Sequence, residues 1–176
     1  MRVVISADST FRPLLGLKWP QPLDVTLVCT SGAPLTTVLH KLFNRSSPPP
    51  DACLVHGGMN DASRASVESF TSDFTDVCAW AKVSIPLFCG SPLIVFSSLI
   101  QTQDAALNIK VATANAVLRS LCGSMGWVYC SNDTIMQHNL HDTVHLGVSG
   151  VAKLHRRVIY VLRQQLGLRS GVPVFI

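Results

Sequence analysis

Met1-Arg2-Val3-Val4-Ile5-Ser6-Ala7-Asp8-Ser9-Thr10 opens the chain. A short apolar run rich in β-branched residues stops at Ala7-Asp8-Ser9 and gives way to the mixed segment 10–19. That pattern predicts a buried strand whose C-terminal end delivers a serine into the turn before a helix. In open α/β sheets, chemistry gathers outside the carboxyl ends of the strands. A serine there is a helix N-cap or a nucleophile, and Thr10 would cap equally well. This stretch alone favours the cap. The rest of the chain reverses the reading.

Working outward, residues 23–30 make a second strand, ended by Ser31-Gly32-Ala33-Pro34. A short helix follows over 35–43, with Leu35, Leu39 and Leu42 at helical spacing. After a Ser- and Pro-rich loop, residues 52–56 form a third apolar run, cut off by Gly57-Gly58-Met59-Asn60-Asp61. The spacing of Val67, Phe70, Phe74, Val77 and Trp80 predicts one helix over 62–82. A fourth strand spans 92–98. The clearest helix, 104–122, carries Leu107, Val111, Ala114, Leu118 and Leu121 on one face, with Gly123 as its C-terminal cap. Residues 127–130 make a fifth strand, and a last helix runs over 149–166. Alternating strands and helices with no internal repeat predict one α/β domain, 1–176, with a mostly parallel sheet covered by helices on both faces.

Composition sets the outer limits. At 176 residues, with 48% hydrophobic and 14% charged residues, the chain can bury a large core and is not a disordered segment. A net charge of +4 permits contact with anionic surfaces without requiring it. The six cysteines form no C-x-x-C pair, which excludes zinc-knuckle and thioredoxin readings. With no signal peptide, a reducing cytoplasmic setting is expected. The most membrane-like stretch, 83–100, is interrupted by Pro86, Gly90 and Pro92, so no transmembrane segment is expected.

Four strand or loop ends present residue types used in acyl transfer: Ser9, Gly32, Gly58-Met59-Asn60 and Asp142-Thr143-Val144-His145. A serine hydroxyl needs an adjacent base, and that base needs a third group to orient it. An Asp three residues ahead of a His in a loop can turn back onto the imidazole Nδ1. A developing oxyanion needs preorganised donors, which a Gly32 backbone N–H, the Asn60 amide and the Ser9 N–H could supply. Each signal is weak alone. Their common placement at the ends of strands in one sheet is what joins them.

Those residues resemble the blocks of the SGNH or GDSL-type hydrolases. Ala7-Asp8-Ser9 resembles the first block, Thr30-Ser31-Gly32-Ala33 the second, Val55 through Asp61 the third and Asp142 through Leu146 the fifth. The resemblance implies Ser9 as nucleophile, His145 as base and Asp142 as its orienting acid, with Ser9, Gly32 and Asn60 holding the oxyanion. It also implies a flavodoxin-like, three-layer α/β/α sandwich on a five-stranded parallel sheet, hydrolysing carboxylic esters, acetyl or short-chain acyl with lipid esters as a further option, through an acyl-enzyme and without a cofactor. More narrowly, the H-x-G-x-N-D form and the helix over 104–122 resemble esterase domains in first-open-reading-frame proteins of non-LTR retrotransposons. Ala7 stands where the family usually has Gly, Met59 where many members have Thr, and Gly147 where Ser is frequent.

Other readings compete at particular residues. Asp8 and Asp61 read as caps, Asp61 for the helix that follows it. His56, ending a buried strand, reads as a satisfied core histidine. His138, His141, Asp142 and His145 have zinc-ligand types, but no H-E-x-x-H helix is present and two of the four belong to the triad, so no metal is expected. Lys153, Arg156, Arg157, Arg163 and Arg169 make the last helix basic, either as a solvated face or as a weak contact for anionic lipid or nucleic acid. The alternative to an esterase is an inactive SGNH-like module that binds lipid, protein or nucleic acid.

Overall fold

Five parallel strands build the centre: β1 (Arg2–Asp8), β2 (Asp24–Thr30), β3 (Ala52–His56), β4 (Leu93–Ser97) and β5 (Val128–Cys130), in the order β2-β1-β3-β4-β5. The computed structural model describes residues 1–45 and 48–168. Helices α1 (Leu35–Phe43), α2 (Met59–Arg64), α3 (Val67–Cys89), α4 (Ala105–Met125) and α5 (Val148–Gln165) connect or follow the strands.

Side-chain alternation along β1 distributes the core. Val4, with Cys53, Val55, Ile94 and Phe96 of its neighbours, faces a cluster built from α1, α3 and α4. Val3, Ile5 and Ala7 face the other cluster, made with Phe11, Leu14 and the α5 residues Leu154, Val158 and Leu162. Because helical layers cover both faces, β1 and β3 read as continuous apolar runs, whereas the edge strand β2 is only partly buried. The result is the expected three-layer α/β/α sandwich.

The chain leaves β1 for β2 on one side and returns to β3 on the other. Ala7 is level with both Cys29 and His56, so the ends of β1, β2 and β3 form one ledge at the switch point. Ser9 follows the first end directly, Gly32 stands in the turn after the second, and Asn60 in the first turn of the helix after the third.

Several features differ from the sequence expectation. After β1 the chain forms only a 3-10 turn, Ser9–Leu14. An α-helix starting at Ser9 would need an N–H at Pro13 to reach the Ser9 carbonyl, and proline has none. The single helix expected over 62–82 is two, α2 and α3. Ala65 is extended, Ser66 caps α3 by accepting the Ser69 N–H at 3.2 Å, and Lys110 Nζ from α4 donates to the Ala62 and Ala65 carbonyls. Val67, at the first turn of α3, is exposed and does not join the apolar stripe. Helix α4 passes through Gly123 and ends at Gly126, whose φ of +66° makes it the left-handed cap.

The described cysteines are all free, and only Cys29 is not fully buried. Among the described residues no helix is long and apolar enough to cross a membrane. On α5, Lys153 Nζ donates to the Thr134 carbonyl and to Asn139 Oδ1, and Arg157 Nε to the Ser131 carbonyl, all 3.1 Å. These two cations brace the preceding loop. Arg169 lies outside the described residues.

Candidate active site

Ser9, Arg12, Pro13, Ser31, Gly32 and His145 line one open cleft of about 490 Å³ above the ledge. Thus Ser9, Gly32 and His145, expected to work together, line the same cleft, although Ser9 and His145 come from opposite ends of the chain. Ser9 is partly exposed at the end of β1, where Asp8 Oδ1 accepts the Thr10 N–H at 2.9 Å. Asp8, itself buried, is therefore the cap, and Ser9 is released from that task.

His145 is held from behind. Its Nδ1 lies 2.9 Å from Asp142 Oδ2 and 3.1 Å from Oδ1, and Asp142 Oδ1 also accepts the Val144 and His145 backbone N–H groups at 2.9 and 2.8 Å. With Nδ1–H donating to the carboxylate, Nε2 is the basic nitrogen left for the cleft. The backbone donors, reinforced by the His145 ring, hold the Asp142 carboxyl well below the usual carboxylate range. Both side chains are about half exposed. The loop around them closes through the His141 N–H on the His145 carbonyl (2.7 Å) and the Gln103 N–H on the Thr143 carbonyl (3.0 Å).

Gly32 sits in the turn after β2 with φ +67°, and its carbonyl accepts from Arg64 Nη2 at 3.2 Å. Asn60 is not a lining residue. Its amide donates to the Ala33 carbonyl at 3.1 Å, which ties the first turn of α2 to the Gly32 turn and engages one of its two hydrogens. Asp61 does not cap the helix in which it lies. Its Oδ2 accepts the Leu35 N–H at 2.9 Å, so it serves the start of α1 across the ledge.

Beneath Ser9 runs a buried polar chain that the sequence did not reveal. His56 Nδ1 is 3.3 Å from Ser97 Oγ, and Asn132 Nδ2 donates to Ser97 Oγ at 2.9 Å and to the Ser98 carbonyl at 2.6 Å. His56 Nε2 lies 4.0 Å from Asp8 Oδ1 and makes no hydrogen bond. The expectation of a fully satisfied core histidine is therefore half met: the ring is buried and lies tilted against Phe11 at 4.6 Å, but one nitrogen is unpartnered.

Burial pushes the His56 pKa below its ordinary 6.5, and nearby Asp8 opposes this only in part. Once unfolded, the imidazole takes up a proton below pH 6.5 that the folded ring refuses. The unfolded state then binds more protons, and stability falls as pH drops from that value. Thermal melts between about pH 8 and 5 should show this loss, at up to about 1.4 kcal/mol per pH unit. The slope should flatten in His56→Gln; an unchanged slope would remove His56 from the account.

Competing chemistries find less support. Burial pushes the Cys29 thiol, the nearest to the cleft, up to about 11, too high for a ready nucleophile. Among the described residues no three His, Cys, Asp or Glu side chains converge as a metal site. Met59 is buried in the core, and Gly147 begins α5 without a side-chain cap.

No protein-family model and no curated protein matches the sequence. Solved structures do. An aryl esterase from M. smegmatis superposes with a TM-score of 0.69 at 11% identity, covering 93% of this chain and 98% of that one. A lipase/acylhydrolase from Enterococcus faecalis gives 0.68 at 13% identity, with 93% and 96% covered. A member of the lipolytic G-D-S-L family from Veillonella parvula gives 0.71 at 12% identity, with 93% and 98% covered. The chain has the five-stranded, all-parallel α/β fold of SGNH hydrolases.

Proposed function

We propose that the protein is a serine esterase hydrolysing carboxylic esters through an acyl-enzyme. The observation that carries this reading is the shared cleft, lined by both Ser9 and His145, with the Asp142 carboxylate on the imidazole Nδ1. His145 Nε2 takes the Ser9 Oγ proton as Oγ attacks the ester carbonyl. The Ser9 and Gly32 N–H groups stabilise the oxyanion, and the Asn60 amide, bonded to the Ala33 carbonyl, holds the Gly32 turn in place beside them. Collapse expels the alcohol, which leaves with the proton from His145. Water activated by the same nitrogen then releases the acid and restores Ser9. Asp142 stays ionised throughout, holding the ring and stabilising the imidazolium.

The esterase and acylhydrolase neighbours support ester hydrolysis as the class of reaction. The narrower likeness to retrotransposon esterase domains rests on the third block and on α4; the solved structures described above add nothing to it.

Hydrolysis of p-nitrophenyl esters from acetyl to long acyl tests the reading and sizes the acyl site. Turnover is expected, whereas none by folded protein on any ester would overturn it in favour of a non-catalytic binding module. Because the Asp142 carboxyl titrates far below neutrality, it contributes no limb to kcat/KM above about pH 4. In Asp142→Asn, kcat should fall by roughly two to four orders of magnitude with little change in KM. Retained kcat would assign the carboxylate to loop structure alone.

A further inference from the structure

Arg12 lines the cleft three residues after Ser9, within the same 3-10 turn. At three residues per turn such a helix eclipses positions i and i+3, so the two side chains share a face about 6 Å apart along the axis. Pro13 favours that geometry, since it removes the hydrogen bond to the Ser9 carbonyl that the α-helical alternative would need.

Of the lining residues, Arg12 alone carries a permanent charge, and it is exposed. Among the described residues no carboxylate pairs with it. The nearby acids are committed elsewhere: Asp142 holds His145, Asp61 holds the Leu35 N–H, and Asp8 is buried beneath the serine. Arg64, anchored on the Gly32 carbonyl, adds a second cation at the rim. The mouth around the nucleophile therefore holds one exposed guanidinium whose donors are unspent.

We propose that Arg12 makes this cleft selective for anionic esters, pairing with a carboxylate on the substrate while the scissile carbonyl lies at Ser9. The inference rests on the serine-esterase reading and adds the substrate class. A guanidinium offers a planar fork that matches a carboxylate in two hydrogen bonds, which a lysine ammonium cannot reproduce. A carboxylate at the far end of a short dicarboxylic acyl chain, or on the alcohol, spans the separation set by the turn.

Two matched pairs test this: mono-p-nitrophenyl adipate against p-nitrophenyl hexanoate, with the anion on the acyl side, and p-acetoxybenzoate against its methyl ester, with the anion on the leaving group. Wild type, Arg12→Gln and Arg12→Lys are compared at low salt and at about 0.5 M salt. In at least one pair the anionic ester should be favoured about five- to tenfold in kcat/KM, a range reduced for an exposed guanidinium. That ratio should fall to near one in Arg12→Gln, be partly kept in Arg12→Lys, and shrink with salt. Turnover of these esters with no anionic preference, or a preference that survives Arg12→Gln, overturns the proposal while leaving the esterase reading standing. No turnover of any of them by folded protein overturns that reading, and the selectivity with it.

Discussion

Ester turnover is expected to vanish in Ser9→Ala, with kcat falling by roughly four to six orders of magnitude. The prediction separates chemistry from structure because the local fold does not depend on the serine. Asp8, not Ser9, supplies the cap, through the Thr10 N–H. The surrounding turn is anchored by Phe11 and Leu14, both fully buried. The variant should therefore melt within a few degrees of the parent. A fluorophosphonate probe, which phosphonylates activated serines, should add one mass increment to the parent and none to the variant. Wild-type rates in Ser9→Ala would place the nucleophile elsewhere. The high pKa of Cys29 leaves no ready thiol near the cleft to take its part.

The second large effect is expected at Gly150, in the first turn of α5. An alanine in a helix interior ordinarily gains about 0.5–1 kcal/mol over glycine. Here an added Cβ would stand 2.4 Å from the Asn139 carbonyl oxygen and 2.9 Å from Leu146 Cδ2. The first contact is with backbone, and that backbone is fixed: the same carbonyl accepts the Gly147 N–H at 2.8 Å, and the Asn139 amide reaches Ser149 Oγ at 3.1 Å. Overpacking should win, costing a net of about 2–3 kcal/mol and lowering Tm by about 4–12 °C. Relief of the clash must move the 139–146 segment, which carries Asp142 and His145. Turnover should therefore drop at temperatures where the variant is still folded, by about tenfold or more. Circular dichroism melts and kinetics well below Tm check both parts. A raised Tm would mean that α5 shifts freely and that the loop is not braced against Gly150.

Much of this arrangement was legible in the residues. The apolar run of β1 and its stop at Asp8-Ser9 placed a serine at a strand end, and the β3 run placed Gly58-Met59-Asn60 at another. Helix α1 and strand β3 have their expected limits because leucine spacing, Pro34 and the Gly57-Gly58 stop all act locally. The Asp142–His145 pairing was equally local, since a three-residue separation in a loop lets the carboxylate bond both its own backbone and the ring. Less legible was whatever depended on contacts between distant segments. The stripe beginning at Val67 did not show that the helix starts there: Ser66 caps it, and the break at Ala65 is also held by Lys110 from another helix. Asp61 looked like a cap for its own helix, but the N–H it accepts belongs to Leu35.

The sequence by itself determined the alternation of strands and helices, the burial of the inner strands and the chemical types waiting at their ends. These follow from side-chain period, turn chemistry and hydrophobic burial, all of which act over a few residues. Only the tertiary structure decided that Ser9 and His145 face one cleft, that Asn60 ties one turn to the next, and that Arg12 joins the serine on one face. Parallel pairing levels the ends of β1, β2 and β3, and α5 packs back beneath β1, so residues at opposite ends of the chain meet across the switch point. That meeting depends on which strands lie beside each other, and no local stretch of sequence specifies it.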